Sequence, residues 1–342
     1  MTRKRFVGLG ELLVRLAPDG YLRFPQAERF NVNYTGAEGN MAITLCYMGM
    51  DAALVTRLPD NDIGRCALRK LAMYGVDTSH ITFGGERIGL YYLERGASQR
   101  PSRIIYDRKH SAFSEASVDE FRWDEILRGA DWFHFTGITA ALSPNCASIC
   151  QEASLAAKRL GIRVSCDLNY RKNLWSPEEA QRTMRPLMKN VDVLFGNEED
   201  SEKALGVKAD DTDITAGKLS IEGYTALARR LVSTFGFEKV AISLRESISA
   251  SVNNWSGLLH SNGETYLSKK YSMQIVDRVG GGDSFASGMI YALLHGMDDK
   301  TSLEYAVAAS CLKHSIEFDF NLSTTEEVTA LMSGDASGRV RR

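Results

Sequence analysis

From residue 132 onward the chain alternates short apolar runs with longer stretches of helical period, and this alternation constrains its fold more than any other feature. The apolar runs lie at 132–136, 163–168, 191–196 and 239–244, separated by helical stretches such as 144–160, 176–189 and 222–235. Strand, helix and strand in succession predict βαβ units, hence a mostly parallel sheet covered by helices on both faces. The N-terminal part joins the same scheme: 5–14 and 52–58 read as strands, 36–48 and 62–74 as helices. Residues 18–35 are rich in aromatics, proline and polar groups and lack helical period. Segments 87–95 and 102–108 alternate or run apolar, which predicts a β-hairpin away from the main sheet. Another hairpin is expected over 250–275 with its turn at Ser261-Asn262-Gly263, and helices at 283–296 and 301–315 close the chain. The expected fold class is therefore α/β, in three layers. No repeat or low-complexity linker marks a boundary, so one domain is expected over 1–342, with β-rich insertions near 12–35 and 87–110.

Composition narrows the function. At 342 residues, 44% hydrophobic and 25% charged, the chain can bury a large core and reads as a soluble globular protein. Its net charge is −2, and its basic runs, Arg3-Lys4-Arg5 and Arg339-Val340-Arg341-Arg342, look like solvated ends. Neither nucleic acid nor an anionic membrane is expected as a partner. The six cysteines (46, 66, 146, 150, 166 and 311) form no C-x-x-C pair. Cys146 and Cys150 share a helical face, but zinc needs two more ligands at suitable spacing, so reduced and mostly buried thiols are expected. With no apolar run of 18 and no signal-peptide core, a cytoplasmic location is expected.

The chemistry concentrates in Asp277-Arg278-Val279-Gly280-Gly281-Gly282-Asp283-Ser284-Phe285-Ala286-Ser287-Gly288. Glycines can aim successive N–H groups at one point, and the apolar helix that follows adds the positive end of its dipole. Together they make a cradle for phosphate or a developing oxyanion. A carboxylate at the mouth of such a cradle has little purpose unless it handles a proton, which makes Asp283 a candidate general base. An ordinary loop with an aspartate N-cap is the plain alternative. A dinucleotide loop fits poorly, because the run lies five-sixths along the chain and its spacing is not G-x-G-x-x-G.

Two motifs in order carry a family resemblance. Gly36-Ala37-Glu38-Gly39-Asn40-Met41-Ala42 matches G-(G/A)-x-x-x-N-x-A, and Asp277 to Phe285 matches D-T-x-G-A-G-D-x-F. Asn197-Glu198-Glu199-Asp200 stands between them where N-x-x-E is usual. The chain thus resembles the ribokinase-like (PfkB) carbohydrate kinases over nearly its whole length. Gly10-Glu11, Tyr106-x-Arg108, Asp167-Leu168-Asn169-Tyr170-Arg171 with Leu174-Trp175, and Asp319-Phe320-Asn321 are similar to the 2-keto-3-deoxygluconate kinase branch. The resemblance implies a ribokinase-like three-layer α/β/α fold with a small β-sheet lid; because a small sheet projecting from an α/β body exposes one apolar face, the lid is also expected to be a dimer or higher homo-oligomer contact.

It also implies roles. Asp283 takes the proton from the substrate hydroxyl, and the amides of Gly280, Gly281 and Gly282 form the anion hole. Glu11, Gly36, Asn40, Tyr91, Tyr106, Arg108, Asn169, Arg171 and Asp319 hold a sugar acid, the arginines serving its carboxylate. Asn197, Ser243, Arg245, Gly280, Gly282 and Val307 line the nucleotide, expected to be ATP. Asn197, Glu199 and Asp200 organise Mg²⁺ through water, while Asn197 can equally cap the helix that follows it.

Three departures from the family pattern stand out. Arg278 replaces the usual threonine and either meets the nucleotide or turns out of the site. Asp200 replaces a glutamate, so Glu199 can share the metal-water task. Ser243-Leu244-Arg245-Glu246-Ser247 stands where K-x-G-x-x-G is usual. The alternatives are a kinase of a neutral sugar such as fructose or ribose, and a catalytically silent sugar-binding protein on the same fold. The presence of Asp283 argues against the second.

Overall fold

The structure, a computed structural model, describes residues 3–209 and 220–335; the basic run at 339–342 lies outside them. Six parallel strands build the main sheet in the spatial order Asp51–Val55, Arg5–Leu9, Trp132–Thr136, Arg163–Asp167, Val193–Gly196, Lys239–Ser247. Val252–Ser261 then adds antiparallel, and Glu264–Leu267 and Tyr271–Gln274 pair with its outer edge. The expected turn at 261–263 is present, with Asn262 and Gly263 both at positive φ.

Burial on both faces explains why these strands are apolar throughout rather than alternating. Val7, Leu9, Phe133, Phe135, Val164 and Cys166 face one core, covered by helices Pro144–Arg159, Pro177–Leu187 and Ile221–Phe235. Phe6, Trp132, Val193, Phe195, Ala241 and Leu259 face the other, covered by Ala37–Tyr47, Asp62–Met73, Gly281–Leu294 and Asp299–Lys313. This is the three-layer arrangement expected. Successive strands are added on either side of Arg5–Leu9, so the strand order reverses there, and ligands of open α/β sheets bind in the crevice beyond the carboxyl end of such a strand.

A separate four-stranded sheet stands over that crevice, in the order Asn31–Thr35, Leu13–Ala17, Gly89–Glu94, Arg103–Asp107. Its inner residues Leu13, Ala17, Tyr91 and Leu93 pack on Val279. One expectation is corrected here and another made specific. The single strand over 5–14 is two strands, because at Gly10 the chain quits the main sheet, its N–H donating to Val55, and enters the second one. The stretch 18–35, expected to lack helical period within a β-rich insertion, contributes the strand Asn31–Thr35, whose bounds the exposed Asn31 and Val32 hide in the sequence.

The N-terminal basic run is also more than a solvated end. Arg5 opens a strand and donates to the carbonyls of Ile126 and Arg128, and Lys4 pairs with Asp131 at 2.9 Å. All six cysteines are free; Cys146, Cys150 and Cys166 are buried and Cys66 is exposed. Among the described residues no helix is long and apolar enough to cross a membrane.

Candidate active site

The glycine run turns the chain from the outer hairpin into the helix Gly281–Leu294. Gly280 is the N-cap residue at φ +82°, with the carbonyl of Asp319 against its Cα, so both the angle and the space demand glycine. The amides of Gly280, Gly281 and Gly282 have no hydrogen-bond partner among the described residues, as befits the open first turn of a helix. Asp283 is the third residue of the helix and not its cap, which removes the plain reading of the motif.

Asn40 reaches Asp283 from the other end of the chain. Its Nδ2 donates to Asp283 at 2.7 Å, while its Oδ1 accepts from the Thr35 hydroxyl at 2.9 Å. Gly36 must be glycine for a steric reason, since a Cβ there would strike the Glu11 carbonyl. Burial pushes the Asp283 carboxyl up to about 7; Asn40 opposes this, and Asp167, Glu38 and Asp319 add to it. Burial likewise raises Asp200 to about 7 and Asp167 to about 6, and Asp167 lies in the field of both other carboxylates. A group of carboxylates held near neutrality in one crevice is suited to proton transfer.

The expected sugar-side residues divide into two sets. Tyr106, 40% exposed, stands opposite Tyr91 in the second sheet, and partly buried Asn169 and Arg171 lie in the loop after Arg163–Asp167. Asn169 sits at φ +40° with its N–H on Asp167, a strained turn of the kind stored at functional sites. Arg171 donates to the Tyr170 carbonyl at 2.9 Å and has no ion pair among the described residues, although its charge is felt by Asp167 and Asp200. Arg108, by contrast, is already committed to Glu11, which also accepts from Ser111.

Asp319 lies deeper than expected. Its side chain has no exposed surface and accepts from Arg15, Asn33 and Tyr91. Tyr91 itself is only 5% exposed.

On the nucleotide side, Lys239–Ser247 runs straight into an antiparallel hairpin with Val252–Ser261, registered as far as Ser247 opposite Asn253. Ser243 is partly buried on it and Arg245 exposed. Val307, expected at the nucleotide, is fully buried and packs toward Gly257 in the core. Asn197 caps helix Glu198–Leu205 by accepting from the Asp200 N–H, and its amide donates to the Asp200 carboxylate at 2.9 Å. Glu199 is exposed beside them.

No cluster of three metal-ligating side chains occurs among the described residues. That donor set fits Mg²⁺ held through its waters and a nucleotide's phosphates, which is how this ion usually binds, and does not fit a protein cage. Arg278 turns away from the glycine run and donates to the Ala250 carbonyl at 3.1 Å.

Three groups escaped the sequence reading. Asp167 and Glu38 lay inside quoted motifs without a role. Glu38 is buried and accepts from the Thr136 N–H and the Thr139 hydroxyl, pinning the end of strand Trp132–Thr136 beside the crevice. Arg15 left a signal, a lone cation in the apolar strand Leu13–Ala17.

Comparison with known proteins agrees with this geometry. The profile of the pfkB family carbohydrate kinases matches residues 5–315. A 2-dehydro-3-deoxygalactonokinase of Haloferax volcanii is 31% identical over 332 residues, covering 97% of this chain and 98% of its own. A 2-dehydro-3-deoxygluconokinase of Thermoproteus tenax is 30% identical, with 92% and 89% covered. The crystal structure of a 2-dehydro-3-deoxygluconokinase from Thermotoga maritima has a TM-score of 0.93 and 48% identity, covering 97% of this chain and 100% of that one.

Proposed function

Starting from the fact that this chain belongs to the pfkB family of carbohydrate kinases, we propose that it moves the γ-phosphoryl group of ATP to the terminal hydroxyl of a sugar acid, 2-keto-3-deoxygluconate first. The observation that carries the reading is Asp283, held by Asn40 at the mouth of a helix whose leading amides are free. In the reaction the Asp283 carboxylate takes the hydroxyl proton as the sugar oxygen bonds to the γ-phosphorus. The bond from that phosphorus to the β,γ-bridging oxygen breaks, and ADP leaves with its electron pair. The amides of Gly280, Gly281 and Gly282 and the helix dipole stabilise the charge on the transferring group.

Tyr106, Asn169 and Arg171 hold the sugar acid, with Arg171 as the partner of its carboxylate. Tyr91 contributes its inner edge, and Asp319 acts behind it by fixing its hydroxyl. Glu11 orients Arg108 over the substrate. Ser243 and Arg245 flank the nucleotide. Mg²⁺, when bound, neutralises charge between the β- and γ-phosphates; Asn197, Glu199 and Asp200 would order its waters.

Turnover assays with ATP test the reading against 2-keto-3-deoxygluconate, its galactonate epimer, fructose and ribose. Sugar acids should be preferred, and preference for a neutral sugar would move the assignment to the neutral-sugar kinases.

The pH dependence follows from Asp283. As a base it must be ionised, so kcat/KM in the free enzyme should rise with pH along a limb near the value of about 7 to which burial raises it. Asp167→Asn removes a like charge that raises Asp283, so the limb should move to lower pH. A profile that is flat between about pH 5.5 and 8 would take the base role from Asp283.

The outer side of the second sheet leaves Val32 and Ile105 exposed, and Tyr21 is exposed in the loop between its first two strands. We propose that this sheet is both a lid over the sugar and a contact with a second copy, since an open apolar sheet face is costly in water. Light scattering at micromolar concentration should report a dimer or larger; a strict monomer would remove the contact.

A further inference from the structure

Arg15 is the most deeply buried cation of the second sheet, and the reaction above leaves it without a task. Its guanidinium has no exposed surface and binds two carboxylates, Asp277 at 2.6 Å and Asp319 at 2.9 Å. The two acceptors belong to different machinery. Asp319 collects one side chain from each of three lid strands: Arg15 from Leu13–Ala17, Asn33 from Asn31–Thr35 and Tyr91 from Gly89–Glu94. Asp277 opens the glycine run, and its other oxygen accepts from the Val279 N–H at 3.1 Å, which shapes the turn one residue before Gly280. The backbone of Asp319 also lies against Gly280. A second link runs outside the first. Ala250, at the tip of the outer hairpin, donates its N–H to Ser98 of the lid turn at 2.7 Å and accepts from Arg278 of the glycine run at 3.1 Å.

We propose that Arg15 is a positioning residue that ties the lid to the anion loop, so that a sugar acid settling the lid also sets the amides that receive the γ-phosphoryl group, with Ser98–Ala250–Arg278 as an auxiliary link. Sugar and nucleotide then bind cooperatively, because each favours the same joint placement of lid and loop; such linkage is reciprocal and is commonly about 5- to 150-fold. Arg278 thereby acquires a purpose that threonine cannot serve, since only a long donor reaches the Ala250 carbonyl from that position. The inference rests on the sugar-acid kinase reading.

The test is calorimetric binding of adenylyl imidodiphosphate to the full chain, with and without saturating 2-keto-3-deoxygluconate. In the wild type the sugar acid should tighten the nucleotide by about fivefold or more. Arg15→Met should bring that ratio close to one. Because this change strands a buried carboxylate, the charge-balanced variant Arg15→Met with Asp319→Asn is measured beside it, in which Asp277 keeps Lys313 and Arg95 nearby; removing a buried ion pair together is often tolerated where removing one member is not. Arg278→Ala, at a half-buried position, cuts only the outer link and should lose part of the ratio. A residue that merely stabilised the fold would lower the melting temperature and leave the ratio intact. A wild type without coupling, or variants that keep its full ratio, would overturn the proposal. The same preparations are assayed for turnover: a wild type that phosphorylates no sugar acid defeats the functional reading, whereas an active enzyme with unchanged ratios defeats only the role of Arg15.

Discussion

Replacement of Asp283 by asparagine is expected to leave a folded protein that has lost several hundredfold or more of its kcat. General-base help contributes roughly 10²–10⁴ in rate, and an amide can accept no proton. The exchange is nearly isosteric and keeps an oxygen for the Asn40 Nδ2 that now donates to Asp283 at 2.7 Å. It also removes a carboxyl that burial holds near 7, so the fold should lose little stability at neutral pH. Binding of the sugar acid should change little. Steady-state kinetics beside a thermal melt decides the matter: an unaltered melt with half the wild-type kcat retained would mean that Asp283 is not the base.

The second large effect is expected at Arg171. If its guanidinium pairs with the substrate carboxylate in a partly closed crevice, truncation to alanine strands that charge. The loss should be ~2–4 kcal/mol, or roughly 30- to 1000-fold in kcat/KM. Fructose or ribose never made the pairing, so their slow turnover should barely move. Arg171→Lys should recover only a part, because an ammonium cannot reproduce a two-pronged contact. Arg108→Ala serves as a contrast. Glu11 already neutralises Arg108, so its removal should be less selective for charged substrates than removal of Arg171. Equal losses on acidic and neutral sugars at Arg171 would make that residue structural and favour the neutral-sugar kinases.

Much of this molecule could be read from local pattern, and the reason is physical. Strands buried on both faces must be apolar along their whole length, so 132–136 and 163–168 announced a parallel sheet before any contact was known. The glycine run was readable because its requirement is local too: positive φ at Gly280 and free amides at a helix start follow from backbone geometry alone. Where exposure broke the alternation, as at Asn31 and Val32, the bounds of a strand in the β-rich insertion could not be read, and Gly10 concealed the point at which one apparent strand became two.

The site divides along the same line. Sequence by itself determined the fold class and singled out Asp283 and the glycine run as the proposed base and anion loop, because each depends on neighbours a few residues apart. Only the tertiary structure decided which charges are spent on the protein and which stay open to a ligand. Arg108 and Arg171 read alike in the chain, yet Glu11, 97 positions away, takes the first, while the second has no ion pair among the described residues. Asp319, expected at the sugar, is held in the interior by Arg15, 304 positions distant, while Val307 is buried in the core near Gly257. A side chain's type says which partners it can take; which partner it does take is set by the one arrangement of the whole sheet that leaves few buried charges uncompensated.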